Sequence, residues 1–132
     1  MSAVDRILGV PFRRHGRELA GLDCYGVVLW LARRWGIAVP DLTEIVQAAA
    51  DPTAIDAATL PLPAGLREVP LREARRGDVA WLRDERGRTT HVEIVESPGL
   101  SVTALYRVGV TRVRWTPEWR QRLHTIWRCP CS

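Results

Sequence analysis

The chain has 132 residues, 46% of them hydrophobic and 26% charged, which fits one globular domain, 1–132, and excludes a disordered chain. Its longest apolar run, Val27 to Ala32, is far too short to cross a bilayer, so no membrane insertion is expected. The net charge of +4 raises the question of nucleic acid, but the basic residues, all arginine, lie scattered among acids, as in Arg72-Glu73 and Arg83-Asp84-Glu85-Arg86. No basic stripe with interleaved aromatics is present. No nucleic-acid partner is therefore expected, and a mildly basic surface suits an anionic polymer such as a bacterial cell wall.

In chain order, Val4 to Val10 is predicted as a short helix ending near Gly9-Val10-Pro11, followed by an extended polar loop from Pro11 to Glu18. Cys24 to Trp35 is the clearest helix. Val27, Val28, Leu29, Trp30 and Leu31 make it apolar nearly all round, the mark of a central helix. Arg33 and Arg34 suit the negative end of its dipole, and Gly36 offers a left-handed stop. Asp41-Leu42-Thr43-Glu44 has capping-box spacing and predicts a helix from Leu42 to Ala50. Asp51-Pro52 ends it. Thr53 to Leu60 reads as a short helical piece ahead of a rigid surface connector, Leu60 to Gly65.

Beyond that point the period changes from helical to alternating. Strands are predicted at Asp78 to Leu82, Thr89 to Val95, Ser101 to Leu105, Val110 to Trp115 and Thr125 to Arg128. Helices first and an antiparallel meander second give an α+β domain with the Cys24 helix laid across the sheet.

Three cysteines cannot form a complete internal disulfide framework. Cys129-Pro130-Cys131 would need two further ligands to hold zinc, and His124 is the local candidate. The expectation is a reduced, frayed tail and no metal or cofactor.

The residues with most chemical meaning are in Gly21-Leu22-Asp23-Cys24-Tyr25-Gly26. A thiol at a helix start meets unpaired amides that favour its thiolate and can hold the oxyanion formed when the thiolate attacks a carbonyl. Gly26 lets a substrate backbone come close. Downstream, His91 opens the apolar strand His91-Val92-Glu93-Ile94-Val95, where an imidazole can take the thiol proton and return it to a leaving amine. His15, in the loop before the cysteine, is expected to line the substrate cleft.

Four segments together resemble the NlpC family of cell-wall cysteine peptidases: Gly9-Val10-Pro11-Phe12, Gly21 to Val28, Arg76-Gly77-Asp78-Val79-Ala80-Trp81, and His91 to Val95. The resemblance covers about Val4 to Arg128 and is closest in style to compact, tryptophan-rich versions found in phage tails. It implies a papain-like fold, with the Cys at the start of a central helix packed on an antiparallel sheet, and hydrolysis of peptide bonds in peptidoglycan. In that reading Cys24 is the nucleophile and His91 the base, with Asp23, Tyr25, Gly26, Phe12 and His15 around the substrate or oxyanion. The third, orienting position falls on Thr103, where the family usually has a His. Ser101 and Glu93 are substitutes. Phe12 stands where the family often has a Tyr, and Glu93 replaces a usual Gly.

Met1 to Arg6 lacks the layout of a secretion signal. The implied setting is synthesis in the bacterial cytoplasm and delivery to the wall in a phage tail or related particle, among tail-tip or baseplate proteins. Two other readings remain open: a tail-tip structural protein with a weakened site, and an intracellular thiol amidase acting on a small amide.

Overall fold

A computed structural model describes residues 1–130. Cys131, half of the tail pair, lies outside the described residues. The first element is a one-turn helix, α1 (Ala3–Ile7), shorter than predicted because Ser2 and Asp5 form a reciprocal capping box and the chain turns at Leu8. The polar loop ahead of the cysteine is partly ordered as a small antiparallel hairpin, β1 (Arg17–Glu18) with β2 (Gly21–Leu22). Then comes α2 (Cys24–Arg34), which ends where Gly36 takes φ 69°.

α3 (Thr43–Ala50) follows, but the predicted capping box is absent: its N-cap is Leu42, with no side-chain cap. Asp41 instead accepts the Thr43 N–H at 2.9 Å, an Asx turn one residue too early for Glu44 to reach back. The piece from Thr53 to Leu60 is reduced to one 3₁₀ turn, Ala57–Thr59.

A six-stranded antiparallel sheet makes up the second half. Its strands are β3 (Arg67–Val69), β4 (Val79–Arg83), β5 (Thr89–Ser97), β6 (Leu100–Leu105), β7 (Gly109–Arg114) and β8 (Leu123–Arg128). They lie in the order β3-β8-β4-β5-β6-β7. Between β7 and β8 the chain makes a short helix, α4 (Pro117–Arg122), which the sequence reading missed. Thr116 caps it and Pro117 begins it, the pairing that helix starts favour.

Side chains alternate across a strand, so the sheet has two covered faces. Val79, Trp81, Val92, Ile94, Val102 and Ala104 pack with Val27, Val28 and Leu31 of α2. Ala80, Leu82 and Ile126 pack with Trp119 of α4 on the other side. The middle of β5 is therefore buried on both faces. At the head of β4, Asp78 is 1% exposed and both its oxygens accept from Arg128 at 2.9 Å, clamping β4 to β8.

The tail departs from the expectation. Cys129 is not frayed but buried in the main core, and Pro130 O accepts the Ala38 N–H at 2.9 Å. Burial pushes the Cys129 thiol up to about 11, where it behaves as an inert small hydrophobe.

Candidate active site

Cys24 sits at the N-terminus of α2 because Asp23 caps it: the Asp23 carboxylate accepts the Gly26 N–H at 2.7 Å. The same carboxylate accepts the His15 N–H at 2.9 Å and the Arg17 guanidinium at 2.6 Å. Asp23 is thereby occupied as scaffold rather than left free for substrate. Gly26 is likewise not a substrate contact. Its N–H belongs to Asp23, and a Cβ there would collide with the carbonyl of Gly16, so only glycine lets the hairpin close on the helix. The Cys24 N–H has no partner among the described residues, which leaves it to act as the oxyanion donor.

The imidazole of His91 lies between two groups, the Cys24 thiol and the Glu93 carboxylate. Its Nε2 is 3.1 Å from Glu93 Oε2. Burial alone would lower the His91 pKa, but hydrogen bonds to Cys24 and Glu93, together with their charges, push it up to about 9. The balance favours the protonated ring. Glu93, 3% exposed, is held from the other side by the Trp119 indole N–H, 3.0 Å from Oε1.

This geometry corrects the third position. Thr103 is fully buried and its hydroxyl donates to Val92 O at 3.0 Å. The reason is local. The β5–β6 ladder begins at Ile94↔Val102, and beyond it the Thr103 hydroxyl ties β6 to the Val92 carbonyl of β5. Ser101 is equally occupied, accepting the Trp115 indole N–H at 2.7 Å. Of the three candidates for the orienting residue, Glu93 holds the ring. Thr103→Val is expected to keep kcat/KM within about threefold of wild type while lowering stability by about 1 kcal/mol for one lost hydrogen bond. Parallel turnover assays and thermal melts check this.

The cleft at Cys24 has a volume of about 320 Å³. Phe12, Tyr25 and Trp81 give it an aromatic wall, Val46, Ala49 and Ala50 of α3 close one side, and Arg14 and His15 stand at its mouth. Phe12 meets Tyr106 edge-on, with ring centroids 5.8 Å apart, and brings no hydroxyl to the cleft. Tyr25 is half-buried, and burial pushes its hydroxyl up in pKa. His15 lies at φ 61°, a left-handed conformation uncommon outside glycine. His124 is elsewhere, its Nδ1 3.1 Å from an Arg83 nitrogen.

Sequence reasoning missed Trp119, Trp81 and the α3 wall. The signal for Trp119 was indirect: a carboxylate at position 93, where a small residue would suffice, needs a partner when buried. Among the described residues no cluster of His, Cys, Asp and Glu is arranged to hold a metal ion, and no helix is long and apolar enough to cross a membrane.

No protein-family model and no curated protein matches the sequence. Solved structures do match. An NlpC/P60 family protein from Bacillus cereus superposes with a TM-score of 0.65 at 16% identity, over 93% of this chain and 36% of that one. A Staphylococcus aureus protein described as similar to lipoprotein, NLP/P60 family, gives 0.65 at 19% identity over 98% and 40%. The NlpC/p60 domain of the peptidoglycan hydrolase SagA gives 0.57 at 18% identity over 94% and 91%. The chain thus spans well under half the length of the first two and nearly all of the third. Helices packed on an antiparallel sheet, with a cysteine heading the central helix, give this chain the papain-like NlpC/P60 fold.

Proposed function

We propose that this chain is a cysteine peptidase that hydrolyses peptide bonds in peptidoglycan. The observation that carries the reading is Cys24 at a helix N-terminus on the wall of a cleft, coupled to His91, which is in turn hydrogen-bonded to Glu93. In the first step the Cys24 sulfur attacks the substrate carbonyl and the Cys24 N–H receives the oxyanion. The C–N bond then breaks, and the proton on His91 goes to the leaving amine, leaving a thioester. Water, deprotonated by His91, attacks the thioester; the new acid leaves, losing its proton to solvent, and the Cys24 thiolate beside a protonated His91 is regenerated. Glu93 holds the ring in register throughout and supports its positive charge.

Arg14 and His15 at the cleft mouth suit a substrate that carries carboxylates, as peptidoglycan stem peptides do. One structural neighbour is itself described as a peptidoglycan hydrolase. The test is mass spectrometry of purified bacterial sacculi incubated with wild-type protein and with Cys24→Ala. New stem-peptide termini from the wild type alone are expected. Identical digests overturn the reading and favour a tail-tip structural component.

The finer proposal is that the domain rides in a phage tail tip, touching neighbouring tail or baseplate proteins, and opens the wall during injection. Its support is the resemblance to compact, tryptophan-rich tail versions. Presence of the chain in purified particles is the expected result, and absence from them removes the proposal.

A further inference from the structure

We propose that Trp119 is a positioning residue for His91, acting through Glu93; in its catalytic meaning this rests on the peptidase reading above. The carboxylate bridges two rings with different oxygens. Oε1 accepts the Trp119 indole N–H at 3.0 Å and Oε2 meets His91 Nε2 at 3.1 Å. A carboxylate fixed at one oxygen presents the other in a defined direction, so the indole N–H aims Oε2 at the imidazole.

Trp119 is itself immobilised from three sides. It is 6% exposed, its backbone N–H is capped by Thr116 at 3.2 Å, and its ring stacks on Trp115 with centroids 4.8 Å apart and planes 8° from parallel. Trp115 is in turn anchored by its indole N–H on Ser101 Oγ at 2.7 Å. Packing does not by itself explain the Trp119 N–H bond. Two other buried indoles, Trp81 and Trp127, have no protein group set against their N–H, so burial of a tryptophan in this fold does not by itself bring an acceptor to it. At Trp119 the N–H meets the carboxylate that touches the base.

The surroundings show why an anchor matters. A cavity of about 530 Å³ lies against His91 and Glu93 on the side away from α2, and its charged lining is Arg83, Asp84, Arg114, Glu118 and Arg122. Cys24 faces the ring from the helix side. Glu93 released from Trp119 has guanidinium groups nearby to turn toward. With the indole in place it stays on His91, where, after Cys24, it helps hold the imidazole pKa above its ordinary value.

The test uses NMR titration of the three histidines, His15, His91 and His124, in the intact chain, and so stands whether or not any peptide is cut. Trp119→Phe keeps the stack and loses the N–H. Its His91 midpoint is expected to fall by about one pH unit or more, with kcat reduced on the order of tenfold and KM unchanged. Trp119→Gln loses the stack but keeps an N–H donor, and is expected to hold the midpoint nearer wild type. In Trp119→Phe/Glu93→Gln the midpoint is expected to match that of Glu93→Gln alone, since both changes act on one contact. A wild-type midpoint in folded Trp119→Phe overturns the proposal, as do equal shifts in the Phe and Gln variants, which would mean packing alone. Should Trp119→Phe be too unstable to titrate, the Trp119 indole ¹⁵N–H resonance of the wild type decides. It is expected to move with the His91 midpoint, and an indole signal indifferent to that titration overturns the proposal. Failure of the peptidase reading alone leaves these midpoints unchanged and shows only as intact sacculi.

Discussion

The double variant Cys24→Ala/His91→Ala is expected to hydrolyse peptide no more slowly than either single variant, all three falling roughly 10⁴-fold or more below wild type. The sulfur and the imidazole act in one step each way, so removing either abolishes the covalent route and the second removal takes nothing further. What survives is the contribution of the cleft and the Cys24 N–H, a group that every variant retains. The fold should survive too. Cys24 is only half-buried, and α2 keeps its cap because Asp23 is untouched, so the melting temperature should move by no more than a few degrees. Stem-peptide release followed over time, beside thermal melts, checks both parts. Appreciable turnover by His91→Ala would transfer the base to another group. Unfolding of Cys24→Ala would make the thiol a packing residue instead of a nucleophile.

Glu93→Gln should give the second large effect, a loss on the order of 10²-fold in kcat, together with a change in the shape of the pH profile. The hydrogen bond to Glu93 and its charge help raise the His91 pKa to about 9 against the pull of burial. Leaving-amine protonation requires the imidazolium, so wild-type activity is expected to fall on the alkaline side as pH rises through about 9. Glutamine keeps the shape but not the charge, and that limb should move down toward the ordinary histidine range. Stability follows the same sign. A folded pKa raised above the unfolded value of 6.5 contributes stability that is complete below about pH 6.5 and is lost as pH rises through about 9. The wild type should therefore lose melting temperature across that window, and Glu93→Gln should be flatter there. Matching pH profiles in the two proteins would detach Glu93 from the base.

The helix that begins at Cys24 and the strand that carries His91 were both legible before any coordinates. An apolar run closed by Gly36 admits little but a central helix, and an alternating run behind a charged turn admits little but a strand. What the sequence hid were features that depend on distant partners. β3 has three residues and pairs with β8 across nearly half the chain. The hairpin β1–β2 exists because Asp23 collects donors from His15 and Arg17. The assignment of Thr103 failed for a related reason. Whether a side chain reaches the ring depends on how β5 and β6 are laid against each other, and no spacing rule reports that. Glu93 was weighed only because it sits beside His91, and its true qualification, an indole from α4, lies 26 residues away.

The hairpin ahead of the cysteine has one more implication. Arg13, Arg14, Arg17, Glu18 and Leu19 are exposed, while the attachment to α2 passes through Gly16 and the carboxylate of Asp23. The base, by contrast, stands on a strand covered on both faces and braced by stacked indoles. Selectivity and reactivity are thus housed in different materials, a replaceable rim and a rigid frame, joined at two points. The exposed rim can therefore change without disturbing the frame, so long as position 16 stays glycine and position 23 keeps its three donors.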